Sequence, residues 1–352
     1  MSERNHGVAL IGFGGMGSRH AELIATVENL SVVGVWDILP ERLADARALG
    51  LKAYGSQAEA LADPAADIVL VATPNHFHKE ISVAALDAGK NVICEKPVAL
   101  DTKELAEMIA ASERNRRLFV VHQNRRWDED YLMARRIVEE KTVGPVYHIE
   151  RRVMGSRGIP GDWRKYKAYG GGMLFDWGIH VLDQMLDLYP EPIVSVHCEL
   201  SFVLGNDCDD GCRISLRYAN GRTAVVEVQT WNFITLPNWY INGSGGTATI
   251  DGFGRFGKIS TLVRFDRNEA KPIVTAAGLT KTMAPRMDDS VMEQPLPTVT
   301  ADVTDYYRNV MDAIEGKAEP IVKNPQVMRV LKLVEACFES HRLGRSIPFE
   351  QA

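Results

Sequence analysis

Apolar and polar positions follow two regimes along this chain. Through residue 121, short apolar runs of strand length, at 8–11, 31–36, 68–72, 91–93 and 118–121, alternate with stretches whose apolar residues recur at helical spacing. Leu23, Ile24 and Val27 mark one such stretch; Ile81, Val83, Ala84 and Leu86 mark another, closed by Gly89. Asp101-Thr102-Lys103-Glu104 has the spacing of a capping box ahead of Leu105, Met108 and Ile109. Alternating strands and helices predict a parallel sheet, here an α/β domain over residues 1–125. Near Gly144-Pro145 the pattern turns to one long helix followed by many strands. Residues 193–202, 213–218, 223–231 and 239–241 read as antiparallel strands, with Asn220-Gly221 and Ser244-Gly245-Gly246 as hairpin turns. Residues 266–297 are charged, proline-bearing and aperiodic, which predicts a long loop. Helical spacing returns at 305–314 and 326–343, so residues 126–352 form an α+β domain whose terminal helices can pack back on the first.

The composition narrows what such a chain does. A length of 352 residues favours two domains over one core, and 45% hydrophobic with 24% charged residues suits a protein that folds in water. No apolar run reaches membrane length. A net charge of -6 with only paired arginines (Arg125-Arg126, Arg151-Arg152) argues against a nucleic-acid footprint. The five dispersed cysteines, an odd number, suit a reducing compartment. With no secretory apolar region before the first glycines, a cytoplasmic location is expected. Cys208-Asp-Asp-Gly-Cys212 reads as a polar turn, one cysteine pair without histidine being a weak metal signal.

Three stretches carry candidate chemistry. The first run leads into Gly12-Phe13-Gly14-Gly15-Met16-Gly17 and then a helix, the context in which such glycines admit a tight turn and a helix amino terminus receives a pyrophosphate. Asp37 ends the next strand, where a carboxylate can accept bonds from both ribose hydroxyls and repel a 2′-phosphate; it can equally cap the helix at Pro40. NAD is therefore expected over NADP, with Arg42 close enough to leave room for a 2′-phosphate. Thr73, Pro74 and Asn75 end the third strand and can line the cofactor crevice, while a helix-start or packing role accounts better for His76 and His78 than a ligand pair lacking a third member.

Second, Glu95 and Lys96 follow a buried run and precede Pro97, which cannot continue a sheet ladder, so both fall at a strand's carboxyl end, where α/β sheets bind ligands. A lysine there can favour an alcohol losing its proton, although solvated charges after strands are common. Third, Gly170-Gly171-Gly172 leads to a segment in which Asp176, His180 and Asp183 fall at i, i+4 and i+7 if helical from about Met173, placing an imidazole and carboxylates on one face. That set reads as a general base with its partner, ahead of a buried polar network or a metal site, for which it is a poor ligand set.

Taken in order, Gly12 to Gly17, Ala72-Thr73-Pro74 with His78, Glu95-Lys96-Pro97, Gly170 through Asp183 and Gly243-Ser-Gly-Gly246 make the chain resemble the glucose-fructose oxidoreductase, inositol dehydrogenase and MocA (Gfo/Idh/MocA) family. The resemblance implies an α/β Rossmann-fold dinucleotide-binding domain, followed by an α+β domain with an open, mostly antiparallel sheet used for homodimer or homotetramer contacts. It also implies that Lys96 sits between substrate hydroxyl and nicotinamide ribose, that His180 is the general base, that Asp176 is its carboxylate partner, and that Glu95, Trp163 and Arg164 close around the nicotinamide. The Lys96-Pro97 bond is expected to be cis. The implied activity is NAD-linked oxidation of a secondary alcohol on a sugar, polyol or glycoside. Without the twin-arginine signal of the family's periplasmic glucose-fructose oxidoreductases in this sequence, their tightly bound-cofactor reaction is not expected; residues 123–127 and 157–169 resemble the family only loosely, and Arg126, Trp163 and Tyr169 there are candidates for reading the substrate. Two other readings share the fold: a glycoside-cleaving enzyme that reduces bound NAD transiently, and a regulator that binds NAD and sugar without turnover.

Overall fold

The computed structural model describes residues 5–265, 271–281, 283 and 288–349. Five parallel strands, β1 (His6–Ile11), β2 (Leu30–Trp36), β3 (Ile68–Val71), β4 (Asn91–Cys94) and β5 (Phe119–Val121), form the first sheet in the order β2-β1-β3-β4-β5. Outside β2, Val35 pairs in parallel with Ala53 and extends that edge. All residues of β1, β3, β4 and β5 are buried, as expected for a sheet covered by helices on both faces. The chain winds outward from β1 to β2 and then back across it to β3, so the connections leaving β1 and β3 diverge and open a crevice at their carboxyl ends. The Lys96-Pro97 bond beyond β4 is cis.

The second sheet has nine strands. These are β6 (Val146–Met154), β7 (Ile193–Ser201), β8 (Gly211–Tyr218), β9 (Thr223–Gln229), β10 (Trp239–Gly243), β11 (Gly246–Asp251), β12 (Phe256–Leu262), β15 (Val291–Gln294) and β16 (Ile347–Pro348); β13 (Ile273–Thr275) and β14 (Gly278–Thr280) pair as a separate hairpin. Their order is β15-β12-β11-β10-β6-β9-β8-β7-β16, antiparallel throughout except for the parallel pair β6 and β9. Buried residues alternate along β8 and β9, so one face packs on helices Ile179–Leu188 and Asn324–Leu343 while the other faces outward. Among the described residues, no helix is long and apolar enough to cross a membrane.

Two sequence expectations are corrected here. β6 was not anticipated, because Glu150, Arg151 and Arg152 hide its alternation. Arg151 is 1% exposed; its guanidinium lies 3.2 Å from Asp130, donates to Gln184 at 2.9 Å and stacks 4.7 Å from the Trp239 ring. An arginine neutralised in this way occupies a core position that hydrophobicity alone cannot flag. The expected loop at 266–297 contains the β13–β14 hairpin and edge strand β15, whose largely exposed residues carry no apolar period; residues 266–270, 282 and 284–287 lie outside the described set. The carboxyl-terminal helices contribute Tyr306, Tyr307, Val310, Val327 and Leu331 to the core of the first domain.

Candidate active site

The cleft begins at the glycine loop. A Cβ on Gly12 (φ +94°) would lie 2.6 Å from the Ala72 carbonyl oxygen, and one on Gly17 would lie 2.0 Å from the Gly12 carbonyl oxygen, so these two glycines let the loop and helix Gly15–Ile24 close on the sheet. At Gly14 and Gly15 a Cβ would meet nothing within 4 Å, and with Met16 they line the cleft. Open space against the first turn of a ten-residue helix fits a pyrophosphate. Phe13 is not a lining residue: its ring is buried in the core, and its N–H donates to Asp37 Oδ2 at 2.7 Å. Asp37 Oδ1 accepts the Leu39 N–H at 2.9 Å, so this carboxylate both braces the loop and faces the cleft, beside Arg42.

The cleft encloses about 880 Å³ and takes walls from both domains. Thr73, Pro74, Asn75, Glu95 and Lys96 come from the carboxyl ends of β3 and β4; Trp163, Arg164, Asp176, Trp177 and His180 come from the second domain. Asn75 Nδ2 donates to the Gly170 carbonyl at 2.9 Å, tying the two domains. His78, expected at the cofactor, lies behind the wall: its ring nitrogens are each 2.8 Å from a carbonyl oxygen, of Pro97 and of Thr73, and because burial lowers its pKa the neutral ring donates its one N–H to one of them and packs against the other. His76 stacks on the exposed Tyr169 with ring centroids 4.7 Å apart, outside the cleft.

Lys96 Nζ donates to Asp176 Oδ1 at 3.0 Å and to the Asp176 carbonyl at 3.1 Å, and Arg164 Nε lies 3.3 Å from the same carboxylate oxygen. Burial works to raise the Asp176 pKa, but the Lys96 and Arg164 charges outweigh it and hold the carboxyl below its ordinary value. His180 lines the same cleft, 4% exposed, with Nδ1 buried and without a hydrogen-bond partner among the described residues. Burial, then the Lys96 and Arg125 charges, push its pKa well below 6.5, which keeps the imidazole unprotonated at neutral pH.

The expected face of Asp176, His180 and Asp183 forms only in part: Asp176 and His180 line one cleft, and Asp183 does not. Leu174–Gly178 is wound as a π turn before the α-helix Ile179–Leu188 begins, and Asp176 within that turn meets Lys96. Asp209, from the Cys208-to-Cys212 turn, anchors this start: its carboxylate accepts the Leu174 N–H at 2.8 Å and its carbonyl the Met173 N–H at 3.0 Å. Burial pushes the Asp209 carboxyl up to about 6 against those bonds. Asp183 turns away to grip Arg126 through two bonds, 2.7 Å from Nε and 2.6 Å from Nη2. Arg126, expected to read the substrate, is thus a buried clamp whose Nη1 also reaches Asp187 and Gln326, each at 3.1 Å. Its neighbour Arg125 lines the cleft instead, its guanidinium 4.5 Å from the Trp177 ring and 3.0 Å from Asp128. Arg125 and Trp177 were missed by the sequence reading; adjacent arginines give no sign of which one faces inward.

A family pattern described as "Oxidoreductase family, NAD-binding Rossmann fold" matches residues 6–123, and one described as "GFO/IDH/MocA C-terminal domain" matches residues 131–249. An uncharacterized oxidoreductase of Schizosaccharomyces pombe is 30% identical over 84% of this chain and 84% of its own length. A scyllo-inositol 2-dehydrogenase (NADP(+)) of Bacillus subtilis is 26% identical over 82% of this chain and 80% of its own. The solved structure of an NAD-binding protein from Listeria innocua superposes with a TM-score of 0.88 at 42% identity, covering 98% of this chain and 97% of that one.

Two outcomes follow from the site itself. Gly14→Ala fills open space at a negative φ, so thermal unfolding should stay within about 2 °C of the parent while NAD affinity by calorimetry drops about tenfold or more; unchanged affinity would remove Gly14 from the cofactor site. His180 has a folded pKa depressed below its unfolded value, so the stability it contributes is present above pH 6.5 and is lost as pH falls below it, when the unfolded chain takes up the proton first. In urea titrations between pH 7 and 5, His180→Asn should therefore lose stability less steeply than the parent, by up to about 1.4 kcal/mol per pH unit; parallel slopes would contradict the buried neutral imidazole.

Proposed function

The chain belongs to the Gfo/Idh/MocA family of oxidoreductases, and from that premise we propose that it is an NAD-dependent dehydrogenase acting on a secondary hydroxyl of a sugar, polyol or glycoside. The observation that carries this reading is the meeting of an ammonium group and a neutral imidazole, Lys96 and His180, in one cleft with the glycine loop. Gly14, Gly15 and Met16 would hold the pyrophosphate, Asp37 the adenosine ribose, and Thr73, Pro74 and Asn75 the path toward Lys96, with Trp163 and Arg164 as cover. Bound along these residues, the dinucleotide supplies the hydride acceptor.

The protein's own part is proton chemistry and positioning. A carbinol carbon releases hydride only as its hydroxyl loses a proton, since the electron pair left on oxygen forms the carbonyl bond. Lys96 Nζ, held by Asp176, can donate to that oxygen and favour its alkoxide character; His180 can accept the proton. The products are then a ketone, a proton on the imidazole and the reduced cofactor. Asp176 acts on Lys96 rather than on His180, because its carboxylate is engaged by Lys96 and Arg164. Arg125 over Trp177 offers a flat cation beside an aromatic face, suited to hydroxyl groups and sugar-ring C–H surfaces.

The carboxylate of Asp37 supports NAD over NADP by repulsion of a 2′-phosphate; Arg42 in the same cleft opposes that preference, and it pairs with Asp45 at 3.6 Å.

The test is nicotinamide absorbance during incubation with NAD, or with NADP, and a panel of inositols, aldoses and alkyl glycosides. Steady NADH growth on one class is expected, with Lys96→Met lowering turnover at least about a hundredfold while NAD binding stays within about threefold. Undiminished turnover in that variant would remove Lys96 from the chemistry. NAD binding without NADH growth on any member would sink the dehydrogenase reading.

A further inference from the structure

Running back from Glu95 in the cleft wall is a cluster that the proposed chemistry does not use. Glu95 is 4% exposed, and its Oε1 lies 2.8 Å from His20 Nε2 and 2.8 Å from His122 Nδ1. Its Oε2 accepts the backbone N–H of Lys96 at 3.0 Å. His20 Nδ1 in turn lies 2.6 Å from the Tyr307 hydroxyl, on the carboxyl-terminal helix Thr304–Ile314. Burial opposes ionisation of Glu95, but His122 and His20 hold its pKa well below the ordinary value, so the carboxylate only accepts. Both rings must then present an N–H to it, and His20, kept neutral by burial, has its Nδ1 lone pair left for the Tyr307 O–H. Every bond in this chain of four side chains has a donor and an acceptor.

The three ligand-type atoms of His20, Glu95 and His122 lie within 4.8 Å of one another. In this closed, buried place their short contacts are accounted for as N–H···O bonds, and an ion would have to break two of them.

We propose that Tyr307, His20 and His122 are positioning residues for Lys96: they fix the Glu95 carboxylate, which fixes the backbone from which the lysine side chain starts. A residue distant in sequence, on a helix that returns from the second domain, thereby sets where the lysine amine sits. Lys96 is anchored twice, at its backbone N–H by Glu95 and at its Nζ by Asp176. The importance of that placement for turnover rests on the dehydrogenase reading; the anchoring itself does not.

Tyr306 supplies an internal control. It neighbours Tyr307 on the same helix and is equally buried, but its hydroxyl has no hydrogen-bond partner among the described residues and its ring meets His122 edge-on at 4.8 Å. Tyr307→Phe and Tyr306→Phe remove the same atom from the same helix, but only the first cuts the chain leading to Lys96.

The experiment compares Tyr307→Phe, His20→Gln and Tyr306→Phe in the full chain by residue-resolved amide hydrogen exchange. Pro97 has no N–H, so the Lys96 amide is read without interference from the next residue. Lys96 exchange should accelerate about tenfold in Tyr307→Phe and His20→Gln and stay at the parent rate in Tyr306→Phe. With a substrate from the panel, kcat should fall roughly tenfold in the first two variants while KM for NAD stays within about twofold. Equal exchange at Lys96 in Tyr307→Phe and Tyr306→Phe, whether both fast or both at the parent rate, would overturn the proposal. Accelerated exchange in an enzyme that turns over nothing in the panel would support the anchoring while ending the dehydrogenase reading. Should His20→Gln fail to fold, the two tyrosine variants decide the question alone.

Discussion

The contact between Lys96 and Asp176 is the constraint on which the site depends. It joins the end of β4 in one domain to the π turn of the other at 3.0 Å, with both side chains mostly withdrawn from water. Removing two charges from solvent costs several kcal/mol per ion, and only close geometry with further hydrogen bonds offsets it. Here the Asp176 carbonyl and the Arg164 guanidinium complete the set. The pair therefore does more than hold two domains together. It keeps a flexible lysine at a defined point in the cleft, and its positive charge helps hold His180 neutral. One electrostatic arrangement thus orients the cation and prepares the base.

The surroundings are arranged so that this contact survives. On the first-domain side, His78 sits between the carbonyls of Thr73 and Pro97 and donates to one of them, and Glu95 takes the Lys96 N–H. On the other side, Asp209 secures the N–H groups that open the helix, and the Arg126–Asp183 clamp holds that helix against its neighbours. These buried charges are each compensated by partners, the condition under which a charged interior is tolerable. Residues that a sequence scan would treat as candidate chemistry thus divide into those that face the cleft and those that hold its walls.

How much of this was legible in the sequence differed by the kind of signal. The first sheet was readable because buried parallel strands are continuous apolar runs and because Gly12 and Gly17 are demanded by backbone contacts with no alternative residue. Strand β6 was not, since Arg151 occupies a core position only by virtue of Asp130, Gln184 and Trp239 far along the chain. The choice between Arg125 and Arg126 rests on the same kind of information: what distinguishes them is the distant Asp183, Asp187 and Gln326. The helical spacing of Asp176, His180 and Asp183 was informative only in part: Asp176 and His180 share the cleft, but spacing carries no sign of the π turn that holds Asp176 or of Arg126, which draws Asp183 away. The tie from Tyr307 through His20 to Glu95 joins residues 20, 95 and 307 and leaves no local pattern at all.

The most direct measurement of the central claim is a crystal structure with NAD and the polyol or sugar on which the enzyme turns over. The account predicts one substrate hydroxyl within about 3.2 Å of both Lys96 Nζ and His180, with Asp176 still bonded to the lysine. A substrate hydroxyl met by Arg125 or Arg164 alone, with Lys96 turned wholly to Asp176 and His180 out of reach, would contradict it.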